Sequence, residues 1–313
     1  MPVNHSEQAF FNQLAEEARN NPPKPLSAMS VEEVRASAKP FQLFADEAAD
    51  IPFADQQLRC QAGHSLHIRV YKMDQTTRPL IIFFPGNGFM HDLFESNHVA
   101  LSKIAKESGC HAVLVAFRLA PEHPFPAAVE DAIEAVQSII ARAADFNADL
   151  EKVIVGGLSS GANLAAVVCN AARKWPYIHI FHQLLIGGSY DLTRSLHSHE
   201  DYEKKDFLCN AEAIDYFLKQ YCPQPRQRKQ PHCSPYWEKD LSGLPPTTII
   251  VGEYDGVRSD SENYAEKLLK AGNQVHKIVL TGQTHNTIIC RSVMTDGEDP
   301  AIVAARCIRH ALE

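Results

Sequence analysis

No stretch of this 313-residue chain reaches the ~18 consecutive apolar residues that a membrane helix needs, so no bilayer span is expected. The opening residues, Met1 to Phe10, are polar and hold no apolar core of an export signal. A cytoplasmic location is the expectation. The eight cysteines are scattered, with no Cys-x-x-Cys pair, and Cys169 and Cys290 sit in apolar runs. Without an export signal they read as free buried thiols. His179-x-x-His182 and His197-x-His199 lie outside a His-Glu-x-x-His context and away from any cysteine pair. No metal and no cofactor are therefore expected. Basic charge is also scarce: 30 Lys and Arg face 38 Asp and Glu, for a net charge of −8. Phosphate binding needs concentrated cations. The basic run Arg226 to Lys229 follows a proline-rich stretch and reads as a solvated loop, so nucleic acid is not an expected partner.

What remains is ordinary folded-protein composition, 45% hydrophobic and 22% charged, at a length that suits one large domain over 1–313. Asn4 to Asn20 places Phe10, Phe11, Leu14 and Ala18 at helical spacing, and a proline cluster at 22–25 stops it. Ser30-Val31-Glu32-Glu33 is a capping box opening a second helix to about Ala38. Segments 56–61 and 66–73, with Gly63 between, suggest a hairpin. From residue 79 onward, short apolar strands alternate with helices: strands at 80–84, 112–115, 153–155, 181–186, 247–251 and 275–280, helices at 93–108, 126–143, after Ser159, 264–271 and 300–312. That alternation implies an α/β fold with a mostly parallel central sheet flanked by helices. Catalytic groups then belong at the carboxyl ends of its strands. The polar stretch His199 to Lys205 and a helix at 211–221 interrupt the alternation. We read this insertion, about 188–222, as a helical cap shared with the N-terminal segment, about 1–48.

Gly157-Leu158-Ser159-Ser160-Gly161 lies between a β-branched run and a helix. Alone it reads equally as a Gly/Ser turn capping that helix. In a strand–turn–helix context it is a nucleophile elbow. A serine hydroxyl needs a base and an acid behind that base. Asp255 follows the strand at 247–251, and His285 follows the strand at 275–280. Three strand ends thus carry Ser, Asp and His in α/β-hydrolase order. Pro85-Gly86-Asn87-Gly88-Phe89 follows the first apolar strand, where an oxyanion loop would sit. One such donor is worth about 2.7–4 kcal/mol in the transition state.

At these residues the chain resembles the hormone-sensitive-lipase-like family of α/β-hydrolase carboxylesterases. Phe117-Arg118-Leu119-Ala120-Pro121-Glu122 is similar to that family's Tyr-Arg-Leu-Ala-Pro-Glu signature. Leu241 to Asp255 and Ser234-Pro235 also resemble it, and the likeness runs from about Leu26 to the end, thinnest at 190–222. The resemblance implies an α/β-hydrolase fold with the cap over an acyl pocket. It implies a serine esterase acting on small, short-acyl esters, with Ser159 as nucleophile, His285 as base and then acid, and Asp255 orienting His285. The implied oxyanion donors are the N–H groups of Asn87, Gly88 and Ser160; Phe89 and Leu158 are expected substrate contacts. With an ordinary imidazole, activity should rise near neutrality as His285 loses its proton.

The departures are local. Pro85 replaces a loop histidine, and Asn87 a glycine whose left-handed backbone Asn is expected to tolerate. Leu158 and Ser160 replace Asp and Ala around the serine, Gly256 a proline, and Asn286 a glycine. Two other readings stay open at this point: a non-catalytic small-molecule-binding protein on the same fold, and an amidase or lactonase with the same triad. The expected partner is a small-molecule ester, with a homodimer as the candidate assembly.

Overall fold

The computed structural model describes residues 3–42, 44–196 and 209–313. Its β-branched and aromatic runs form eight strands in one sheet, ordered β1-β2-β4-β3-β5-β6-β7-β8. β1 (Phe53–Arg59) and β2 (Ser65–Tyr71) are the expected hairpin, and β2 also meets β4 antiparallel. β3 (Arg78–Phe84), β4 (His111–Val115), β5 (Ala148–Leu158), β6 (His182–Ile186), β7 (Thr247–Gly252) and β8 (Val275–Leu280) are parallel. Among the described residues the α-helices are α1 (His5–Asn20), α2 (Val31–Gln42), α3 (Phe94–Ser108), α4 (Ala127–Ala141), α5 (Ser160–Ala172), α6 (Ala211–Tyr221), α7 (Arg258–Lys270) and α8 (Pro300–Leu312). Among the described residues, no helix is long and apolar enough to cross a membrane.

Successive strand residues face opposite sides, and the apolar run of β3 divides accordingly. Leu80, Ile82 and Phe84 join the core beneath α4, α5 and α7, whereas Ile81 and Phe83 join that beneath α3 and α8. This double burial explains why the middle strands read as unbroken apolar runs rather than alternating ones. The capping box forms as expected: Glu33 N–H donates to Ser30 Oγ at 3.2 Å, and Ser30 N–H donates to Glu33 Oε2 at 2.8 Å. α2 extends to Gln42, beyond the expected end near Ala38. β5 begins earlier than its apolar run, at Ala148, because that residue pairs with Arg78 ahead of a register shift.

The N-terminal segment divides in its packing. The stretch 23–38 and helix α6 line a cavity with Ser159 and His285 on its wall. α1 instead buries Phe10 and Phe11 in the core beneath α3 and α8. His199 to Lys205 lies outside the described residues, so the insertion is represented here by its flanks.

Candidate active site

β5 turns into α5 through Ser159, whose backbone sits at φ 54° and ψ −118°. That left-handed φ is costly for a residue with a Cβ, and such strain collects at functional positions. Gly157 and Gly161 make the turn feasible. A Cβ on Gly157 would run into the Gly161 backbone, and one on Gly161 would run into the Phe84 carbonyl. The Ser159 N–H is anchored to Ile186 O at 2.8 Å.

The loops after β7 and β8 bring the two partners. His285 Nε2 lies 2.9 Å from Ser159 Oγ, and His285 Nδ1 lies 2.9 Å from Asp255 Oδ1. Asp255 is 2% exposed, and the same oxygen accepts from Val257 N–H at 2.8 Å. A buried carboxylate on Nδ1 keeps that nitrogen protonated and leaves Nε2 as the acceptor facing the serine. The three residues thus form a relay that can withdraw the Ser159 proton.

The loop after β3 departs from expectation in its details. Asn87 is not left-handed; Gly88 and Phe89 are, at φ 59° and 60°. A Cβ on Gly88 would also press against the Phe217 ring at 3.0 Å. Of the three N–H groups expected to meet an oxyanion, that of Asn87 is donated to Ser160 Oγ at 3.0 Å. The Ser160 hydroxyl donates back to Asn87 Oδ1 at 3.0 Å, and the same oxygen accepts from Phe89 N–H at 2.9 Å. The Asn87 N–H is thus engaged within the loop, while those of Gly88 and Ser160 make no hydrogen bond to another described residue.

Leu158 requires a correction. As the last residue of β5 it points away from the cavity, is 1% exposed, and packs with Ile154 and Ile186. It fills the space that a side chain on Gly86 would need. Phe89 does reach the cavity wall, stacked on Tyr221 with ring centroids 3.7 Å apart.

The cavity holds about 630 Å³ and is walled mainly by apolar groups, among them Leu26, Met29 and Val34 from the N-terminal segment and Ile214 and Phe217 from α6. This is an ordinary size for a small-molecule site. His91 interrupts its apolar wall. It is 7% exposed, meets Phe217 edge-on at 5.1 Å, and leaves Nδ1 buried without a partner. Burial, helped by nearby Arg35, pushes its pKa down to about 4, so it is a neutral imidazole near pH 7.

Other supports escaped sequence reasoning. Asn97 of α3 brackets Gly86, accepting from its N–H at 2.8 Å and donating to its carbonyl at 3.0 Å. It ties the loop after β3 to α3. Its only sequence signal is a fully buried amide on the apolar face of a helix. Arg35 of α2 clamps Glu122 through two bonds of 2.8 and 2.6 Å and caps the carbonyls of Met90 and Ala120, each at 2.9 Å. Glu122 was visible as part of the Leu-Ala-Pro-Glu segment; its partner was not. Cys209, Asp255 and His285 present ligand atoms within 4.8 Å of one another. Both His285 nitrogens already serve the relay, so a cation there would have to break it.

A nucleophile elbow, a Ser-His-Asp relay and a donor loop at the carboxyl edge of a mostly parallel sheet define an α/β hydrolase. Comparison with known proteins agrees. A profile of the α/β-hydrolase fold family matches residues 81–289. The chain is similar to an ethyl acetate hydrolase of Pseudomonas putida, 25% identical over 97% of this chain and 98% of that protein. It is also similar to esterase LipI of Mycobacterium tuberculosis, 31% identical over 76% of this chain and 75% of the relative. Among solved structures, the ester hydrolase EH1AB1 from the metagenome of Lake Arreo superposes with a TM-score of 0.92 at 25% identity, covering 99% of both chains. The chain belongs to the α/β-hydrolase fold family, among its hormone-sensitive-lipase-like carboxylesterases.

Proposed function

We propose that this carboxylic ester hydrolase cleaves small, short-acyl esters through an acyl-enzyme formed on Ser159. Ser159 Oγ attacks the ester carbonyl carbon while its proton passes to His285 Nε2. The carbonyl oxygen becomes an oxyanion against the N–H groups of Gly88 and Ser160. Collapse breaks the carbon–oxygen bond to the alcohol, and His285 returns its proton to the departing oxygen. Water then enters, gives a proton to His285 and attacks the acyl carbon; collapse breaks the bond to Ser159 Oγ, which takes that proton back from His285 as the acid leaves. Asp255 holds the imidazole in the required tautomer throughout.

The observation that carries the reading is the Ser159–His285–Asp255 relay, two contacts of 2.9 Å, opening on an apolar cavity walled by the N-terminal segment and α6. The same proposal treats 1–313 as one hydrolase domain, with the segments about 1–48 and 188–222 as its cap. The test is hydrolysis of p-nitrophenyl acetate and butyrate. Wild type is active and Ser159→Ala is not; equal rates in both would remove Ser159 from the mechanism.

Eight free cysteines, six of them buried, support a reducing, cytoplasmic setting for the enzyme. β8 ends the sheet with no further strand beside it among the described residues. That open edge supports a homodimer, which light scattering checks against the 34.8 kDa monomer mass.

A further inference from the structure

α1 carries a glutamate where a surface helix would show it to water. Glu7 lies in the first turn of α1 and is fully buried. First-turn carboxylates ordinarily serve their own helix dipole. Glu7 reaches across to the loop of the general base. Its Oε2 accepts the N–H of Thr284 at 2.9 Å, and its Oε1 accepts the hydroxyl of Thr287 at 2.8 Å. Those two residues flank His285. The neighbouring backbone is tied in the same direction: Asn4 N–H donates to Gly282 O at 2.8 Å, and Gly282 N–H donates to Glu253 Oε2 at 2.8 Å. Glu7 does not line the cavity.

Burying a carboxylate is expensive unless donors meet it. A buried carboxylate with one oxygen on each side of His285 therefore restrains that loop more than apolar cover would. The relay it restrains works over 2.9 Å contacts, where small displacements cost rate.

We infer that Glu7 is a positioning residue for His285: the N-terminal helix clamps the loop of the general base through this carboxylate, so that α1 contributes to turnover as well as to the core. The inference rests on the proposed role of His285 as base.

The test compares wild type with Glu7→Gln, Thr287→Val, their double variant, Phe11→Leu and His285→Ala on p-nitrophenyl butyrate. The folded fraction of each is fixed by near-ultraviolet circular dichroism. Gln keeps the shape of Glu7 but places an N–H₂ against the Thr284 N–H or the Thr287 hydroxyl. Glu7→Gln should lower kcat about 10- to 100-fold, the range for leaving a buried donor unsatisfied, with KM within about twofold. Thr287→Val should lose less, and the double variant should fall short of the product of the single losses. Phe11→Leu, which thins the apolar cover of α1, should lower the melting temperature and leave kcat per folded molecule unchanged. An unchanged kcat in Glu7→Gln overturns the inference, as does a loss that follows the folded fraction or resides in KM. His285→Ala separates the two layers. If it is inactive while Glu7→Gln is normal, only the clamp fails; if it keeps wild-type activity, the base assignment fails and the clamp with it.

Discussion

Asn87 and Ser160 hold each other: the Asn87 N–H donates to Ser160 Oγ, and the Ser160 hydroxyl donates back to Asn87 Oδ1, both at 3.0 Å. One residue sits in the donor loop and the other follows the elbow serine. Both depart from the family pattern, and each supplies what the other needs.

Exchanging Asn87 for the family's glycine therefore should not be neutral. Asn87→Gly removes the acceptor for Phe89 N–H and for the Ser160 hydroxyl, in a loop whose next two residues are already left-handed. The expected loss is about 3- to 30-fold in kcat for one or two neutral hydrogen bonds. Ser160→Ala should lose a similar amount, and the pair should be non-additive in a double-mutant cycle. A wild-type rate in Asn87→Gly would show that only the backbone matters.

Arg35 joins α2 to the loops at Met90 and Ala120–Glu122 through four acceptors. Arg35→Ala should raise KM and lower the melting temperature, because the 23–38 stretch walls the cavity. Arg35→Lys should recover little, since a single ammonium cannot reproduce the two-pronged Glu122 contact and both carbonyl bonds. Glu122→Gln should cost less than about 1 kcal/mol, because that carboxylate is half exposed and solvent screens it. Urea melts and Michaelis curves on the three variants check the order.

Two buried imidazoles give the fold an acid limit. Burial pushes His91 and His182 down to about 4, while an unfolded imidazole titrates near about 6.5. The unfolded chain therefore binds protons more readily over that interval. Their contribution to stability is full above about pH 6.5 and is lost as pH falls toward about 4. The urea midpoint should drop across that window, and His91→Phe, which keeps the edge-on contact with Phe217, should make the drop shallower. An identical slope in wild type and variant contradicts the assignment.

Leu26, Met29, Val34 and Phe217 bound the cavity beside Ser159 with apolar side chains. Acetyl and butyryl esters should be the best substrates, with kcat/KM falling beyond about eight acyl carbons. An acyl-chain series on p-nitrophenyl esters measures this, and a maximum at long chains would contradict a short-acyl preference.

The relay was legible because strands β5, β7 and β8 announce themselves as apolar runs, and Ser159, Asp255 and His285 follow their ends directly. The N-terminal helices were equally plain from Phe10, Phe11 and the Ser30–Glu33 box. The supports were not, because they join elements distant in sequence. Glu7 meets a loop 277 positions away, and Asn87 meets Ser160 across 73; no local period encodes such pairs. Asn97 looked like one polar residue in a helix until its amide was seen around Gly86. Leu158 is a different kind of miss. On a strand buried on both faces, alternation alone does not say that Leu158 turns with Ile154 away from the cavity.

The central claim is that Ser159 forms the covalent acyl intermediate. The most direct measurement is mass spectrometry after exposure to diethyl p-nitrophenyl phosphate, which leaves a stable phosphoryl group on an activated serine. One diethylphosphoryl group per chain is expected, on the peptide containing Ser159, with simultaneous loss of esterase activity and no labelling in Ser159→Ala. Inactivation with the label on another residue, or equal labelling of Ser159→Ala, would contradict it.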